Sequence, residues 1–278
     1  VELIHESDLH ETAPPVCVAG MHRSGTSTVT QLLCRLGLYL GREEDLFAPG
    51  PSNPEGYWEN KHFVRINEDI LNDLGAGWDF PLQPEPGWQH TESLQARWDA
   101  ARTLEQEFRA HGRWGWKDPR NCLTMPFWLE VLPDARVVVC LRNPVEVALS
   151  LRKRGNASLP FGLHLWRTYN ERLLADLPQD QYIVTHYESY FHRPQRELRR
   201  VLDFCGMYAS DQLISQVRSR VIKGLRNHFY TLEEMLELDP SGQVRDLYLR
   251  MCAEAQWDPE LVTFPKTLEE LVPAELRS

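Results

Sequence analysis

Val16-Cys17-Val18-Ala19 is an unbroken apolar run that stops at Gly20, and Ala135–Leu141 is a second, nearly continuous one. Short runs without polar alternation suit strands buried on both faces. Trp114-Gly115-Trp116 and Gln181–Thr185 are read as two further strands. Between them the apolar spacing changes to that of helices. Val29, Leu32, Leu33 and Leu36 recur every three or four residues, and Gly37 marks the end. Helical patterns follow around 61–74 and 91–111, and Pro126–Leu132 suits a short helix. Asn143-Pro144 opens a helix to about Arg154, with Pro144 in the tolerated first turn. His164 and Trp166 lie in a helical stretch as structural residues, and 194–205 is amphipathic, with Leu198, Val201, Leu202 and Cys205 on one face. Residues 47–60 are rich in Pro, Gly and Asn and read as a loop. Beyond 206 the pattern gives helices and loops without a strand. Strands alternating with helices predict an α/β, three-layer fold, its central parallel sheet flanked by helices and followed by a helical carboxyl-terminal portion. Residues 1–14 form a loose arm and 15–278 a single domain.

Composition narrows the partners. The chain of 278 residues carries a formal net charge of −10, which argues against nucleic acid or an anionic membrane. A local cluster of Arg and Lys can still hold a small phosphate-bearing ligand. Six cysteines form no Cys-x-x-Cys pair and have no His at zinc spacing, so they read as buried free thiols in a reducing, cytoplasmic setting and no metal site is expected. No apolar run is long enough to span a bilayer. The chain begins at Val1, so it reads as trimmed or cut from something larger, and an upstream anchor stays open.

Gly20-Met21-His22-Arg23-Ser24-Gly25-Thr26-Ser27 lies between the first strand and its helix. A helix N-terminus offers unpaired N–H groups and the positive end of the helix dipole to an anion. Gly25 allows close backbone approach, Arg23 adds a fork of donors, and Thr26 and Ser27 add hydroxyls. The loop lacks the Gly-Lys-[Ser/Thr] ending of a nucleoside-triphosphate loop. A second phosphate contact follows the strand 135–141, which delivers Arg142 to the carboxyl end where α/β proteins bind ligands. Ser150 lies about two helical turns further on.

These two motifs, in this order and separation, resemble those of the sulfotransferases that use 3'-phosphoadenosine 5'-phosphosulfate (PAPS) and have a P-loop-like fold. The likeness covers roughly residues 15–230 and is nearer the carbohydrate and protein-tyrosine types than the cytosolic phenol type. It implies that His22, Arg23, Ser24, Gly25, Thr26 and Ser27 hold the 5'-phosphosulfate end, and that Arg142 and Ser150 hold the 3'-phosphate. Trp116-Lys117-Asp118-Pro119-Arg120 is similar to the segment that places a Lys beside the transferring sulfuryl group. Thr185-His186-Tyr187-Glu188 resembles the strand end whose Tyr, here Tyr187, lies near the adenine. Lys223-Gly-Leu-Arg226 looks like a distal basic contact to the 3'-phosphate, in a carboxyl-terminal portion (206–278) expected to close over the nucleotide. Pro119 departs from the pattern: the cytosolic small-molecule branch has its catalytic His there.

The resemblance implies in-line transfer of a sulfuryl group from PAPS to an acceptor hydroxyl, carbohydrate favoured, with release of 3'-phosphoadenosine 5'-phosphate (PAP). Such chemistry rests on positioning and charge stabilisation, for which Arg23 and Lys117 are the candidates. With no His at 119, the general base is sought in Asn53–His62, a loop running into a helix. Glu59 is the first choice, because the protein-tyrosine branch has a Glu base in a comparable segment; Glu55 and His62 are the alternates. Tyr57, Trp58, Trp78 and Trp88 crowd the same region and serve either to stack on an acceptor or to pack the core. Two other readings stay open: a P-loop small-molecule kinase, and a non-catalytic module that binds PAP without turnover.

Overall fold

The computed structural model describes residues 13–50, 53–155, 157–218 and 231–260. Four parallel strands, β1 (Val16–Ala19), β2 (Gly115–Lys117), β3 (Arg136–Leu141) and β4 (Tyr182–His186), lie in the order β2-β1-β3-β4. Val18 is in register with Lys117 on one side and Val138 on the other, and Leu141 with His186. Strand side chains alternate between faces. Cys17, Ala19, Val137, Val139 and Leu141 therefore enter one core, and Val16, Val18, Val138 and Cys140 enter another. Burial of both faces is why these strands show no polar alternation.

The larger core is covered by α2 (Lys61–Asp73), α3 (Gln95–Arg109), α4 (Asn121–Val131), α5 (Pro144–Gly155) and α6 (Leu159–Asp176). The smaller is covered by α1 (Thr26–Arg35), α8 (Pro194–Phe204) and α9 (Asp211–Arg218), with the single turn α7 (Ser189–His192) leading into α8. Further on, α10 (Leu232–Leu238) and α11 (Gln243–Glu254) return to the larger core, where Met235, Leu247 and Met251 are buried. The described part after 206 is helix and loop, as the sequence predicts. Gly162 lets α6 approach α5 closely, since a Cβ there would stand 2.7 Å from that of Ala148.

Several boundaries shift by a few residues from the sequence reading, and two of them have a clear cause. β2 is Gly115–Lys117, one residue later than expected, and Trp114 instead contributes its carbonyl to the Val16 N–H at 3.0 Å. α4 begins at Asn121, so Pro126 is interior rather than first-turn. Cys122, Leu123, Met125, Phe127 and Trp128 are all buried, which leaves no apolar stripe to reveal where the helix starts. An interior Pro costs about 3 kcal/mol, offset here by that packing. All six cysteines are free and all but Cys34 are buried. Among the described residues no helix is long and apolar enough to cross a membrane.

Candidate active site

All four strands discharge into one cleft of about 220 Å³. β1 runs into the Gly20–Ser27 loop, β2 ends on Lys117, β3 delivers Arg142 and β4 delivers Tyr187. Ligands bind at such carboxyl ends because loops and helix N-termini converge there. The loop is tightly turned. Gly20 has φ 143° and passes against the Cys140 carbonyl, where a Cβ would lie only 2.6 Å from the oxygen. Arg23 has φ 72°, rare for a residue with a side chain, and Gly25 has φ 88° under the Tyr187 ring. α1 begins at Thr26 with no side chain capping its first turn.

The Gly20–Ser27 turn meets the Arg142–Ser150 segment. Arg23 Nε donates to Ser150 Oγ at 2.8 Å, and Arg142 Nη1 donates to the Arg23 carbonyl at 3.3 Å. The Arg142 guanidinium lies 4.7 Å from the Tyr187 ring centroid and pairs through Nε with Glu146 at 2.8 Å. Ser150 thus bonds Arg23 rather than Arg142.

Lys117 is a second hub. It is 3% exposed, and its Nζ donates to Glu59 Oε1 at 2.5 Å, the Tyr57 carbonyl at 3.1 Å and Ser27 Oγ at 3.3 Å. An ammonium has three donors, so all are engaged. Ser27 Oγ also accepts from Asn53 Nδ2 at 3.0 Å and donates to the Tyr57 carbonyl at 3.2 Å.

Among the described residues six cationic side chains line the cleft, Arg23, Lys117, Arg120, Arg142, Lys153 and Arg154, against the carboxylates of Glu59 and Glu146. A strongly positive cleft therefore exists on an acidic protein. Burial, then Arg120, Lys117, Arg154 and Arg23, hold the His22 imidazole well below its ordinary range, so it is neutral. Its Nε2 is buried without a hydrogen-bond partner. Burial and the neighbouring Arg142 and Arg154 also pull Arg23 below the usual guanidinium range. Behind the cleft, Asp118 accepts from the Arg120 side chain at 3.0 Å and from Asn67 Nδ2 at 2.9 Å. Burial pushes the Asp118 carboxyl up, and Arg120 opposes it. Asn67 in turn accepts from Thr124 Oγ1 and Trp128 Nε1, both at 2.7 Å. A buried network with its bonds filled fixes the residue after Lys117.

A profile of the sulfotransferase family matches residues 14–211. The chain belongs to that family. It is a sulfotransferase. A sulfotransferase from Mycobacterium avium shares its fold at a TM-score of 0.51 and 15% identity, over 84% of this chain and 77% of the other. A sulfotransferase from Alicyclobacillus acidocaldarius aligns at TM-score 0.46 and 17% identity, over 89% and 97%. A mouse sulfotransferase crystallised with PAP aligns at TM-score 0.43 and 12% identity, over 82% and 68%. A search of curated protein sequences gives no match.

The sulfotransferase offers donors from the Gly20–Ser27 turn with Lys117 and from the Arg23–Ser150–Arg142 cluster. The turn over Gly25 leaves no room for a side chain, and the unpartnered His22 Nε2 is an orphan of the kind a ligand satisfies. Of the residues expected from sequence, His22, Arg23, Gly25, Thr26, Ser27, Glu59, Lys117, Arg142, Ser150 and Tyr187 line the cleft. Ser24 is buried beside it, its Oγ without a partner. Glu55 is exposed and outside the lining, and His62 points to Asp45 at 3.4 Å with its side chain 57% exposed. Lys223 and Arg226 lie outside the described residues. Trp88 is core, Tyr57 lines the cleft, and Trp78 adjoins it through His22. Sequence reading missed Asn53, Glu146, Arg120, Lys153 and Arg154 as lining residues. The four-residue spacing of Arg142 and Glu146, and of Ser150 and Arg154, was the available signal.

Proposed function

We propose that this sulfotransferase transfers the sulfuryl group to a hydroxyl of a carbohydrate. The observation that carries the site assignment is the meeting of the β1 loop, Lys117 and the Arg23–Ser150–Arg142 cluster in one cleft. Bound PAPS supplies an electrophilic sulfur and a phosphate leaving group. Arg142, Ser150 and Arg23 bind the 3'-phosphate, Tyr187 lies against the adenine, and the loop with Thr26 and Ser27 holds the phosphosulfate. Lys117 exchanges its longest contact, to Ser27, for an oxygen at the reacting end and stabilises charge developing there. Glu59 is already oriented by Lys117 and takes the acceptor's proton as the hydroxyl oxygen attacks sulfur. Pro119 removes the His that the phenol-type mechanism uses, and Trp78 with Tyr57 supplies ring surfaces near the acceptor end, which supports a sugar.

Calorimetric titration with PAP, and with ADP as control, tests the nucleotide site. The ligands differ in where the second phosphate sits. PAP should bind at least tenfold more tightly, and Arg142→Ala should remove most of that preference. Equal binding of ADP, or a preference that survives the substitution, sinks the assignment in favour of a kinase or a decayed module.

A further inference from the structure

Glu146, Ser150 and Arg154 recur every fourth residue along α5, and all three line the cleft. Arg154 therefore stands one turn, about 6 Å, beyond the Ser150 that Arg23 engages. Of the other cations that line the cleft, Arg23 bonds Ser150 and three are paired with carboxylates. Lys117 is matched by Glu59, Arg142 by Glu146, and Arg120 by Asp118 and Glu68. Arg154 has neither a hydrogen bond nor an ion pair among the described residues. Its guanidinium lies 5.8 Å from the Trp78 ring centroid, and that ring meets the His22 ring edge-on at 5.0 Å. His22 presents the buried, unpartnered Nε2 at the same wall. The result is a cation resting on an aromatic ring at the edge of a cleft whose two lining carboxylates among the described residues are already used.

An exposed Arg on a surface needs no ligand. Here, however, it is set on the cleft-facing row of α5 in a protein of net charge −10, where carboxylates to neutralise it are plentiful. Leaving it uncompensated beside a planar ring suits recognition of an anion attached to a ring-shaped body, by a guanidinium fork above and an aromatic face alongside. We propose that the acceptor is an acidic saccharide, and that Arg154, with Trp78 beside it, binds a carboxylate or sulfate ester on the sugar next to the reacting hydroxyl. This deepens the carbohydrate reading and rests on it.

The test uses the PAP-saturated protein and three tetrasaccharides of the same backbone: one containing uronic acid, its carboxyl-reduced neutral counterpart, and the reduced form carrying one sulfate ester. Calorimetry should show at least tenfold tighter binding of one or both anionic forms than of the neutral one. Whichever anionic arm gains identifies the group. Arg154→Ala should cut that preference to under threefold. Arg152→Ala, an exposed neighbour outside the lining, should keep it. Equal binding of all three, no binding of any, or a preference that survives Arg154→Ala overturns the inference while leaving the nucleotide site standing. Failure of PAP itself to bind, in the preceding titration, takes down the nucleotide assignment and this inference with it.

Discussion

Gly25→Ala tests whether Tyr187 is clamped over the phosphate loop. Two costs add. At φ 88° a side chain is strained, by about 1–2 kcal/mol. The new Cβ would also stand 2.2 Å from Cδ2 of Tyr187, with Cε2 at 2.9 Å and Cγ at 3.0 Å. Carbon atoms rest at roughly 3.5–4.0 Å, so the ring must withdraw by more than about 1 Å. It is not free to do so. Tyr187 is 4% exposed, packs on Phe191 at 4.9 Å and carries the Arg142 guanidinium at 4.7 Å. Forced repacking of this kind costs about 1–3 kcal/mol. The sum is about 2–5 kcal/mol, or a fall in Tm of roughly 3–9 °C for a chain of 278 residues. Gly37→Ala is the control, because φ is 104° there and nothing lies within 4 Å of the added carbon. It should show the strain alone. Thermal and urea unfolding of both variants, with PAP titration, measure the difference. Gly25→Ala should also weaken PAP binding, since a displaced Tyr187 takes Arg142 with it. Tyr187→Ala removes the obstacle, so the double variant should be less damaged than the two single losses imply, by about 1–3 kcal/mol. If Gly25→Ala costs no more than Gly37→Ala, or the double variant is additive, the ring is not held where the argument requires.

Two further outcomes are expected. Glu59→Gln should lower kcat by about 10²–10⁴ with little change in PAP affinity, while Glu55→Gln and His62→Ala stay within about threefold of the parent. A reversed order in steady-state assays would move the base to another residue. His186 governs part of the acid sensitivity of the fold. Burial, then Arg142 and His192, pull its imidazole down to about 3, and its Nδ1 accepts the Glu188 N–H at 3.2 Å. Between about pH 6.5 and 3 the unfolded chain binds a proton there that the folded chain does not, so stability falls as pH falls through that window. At pH 5 this amounts to about 2 kcal/mol, which His186→Asn should remove from the pH 7 to pH 5 difference in urea unfolding. An identical pH difference in both proteins would show that His186 is not held neutral.

Much of the frame was legible in order along the chain. β1 and β3 announced themselves because both their faces are buried, and α1 and α8 because a single apolar stripe faces one core. α4 hid its start because it is buried nearly all round and carries an interior Pro. Chemistry carried by one local segment was equally legible. The Gly20–Ser27 turn, Lys117 at the end of β2 and Arg142 at the end of β3 are each positioned by the strand that precedes them.

What local pattern could not supply was the choice among neighbours. Glu55, Glu59 and His62 lie within eight residues, yet only Glu59 meets Lys117. Gly56 at φ 95° and Trp58 at φ 58° turn the chain between them, and no periodicity encodes two such turns. The bond from Arg23 to Ser150 spans 127 positions, and Arg154 reaches Trp78 from another element altogether. The sequence by itself determined the parallel α/β frame, the tight Gly20–Ser27 turn between strand and helix, and the family of reactions. Only the tertiary structure decided which acid faces Lys117, that Arg23 meets Ser150 and Arg142, and that Arg154 stands against Trp78. Those depend on where strands that are adjacent in the sheet, but far apart in the chain, point their ends.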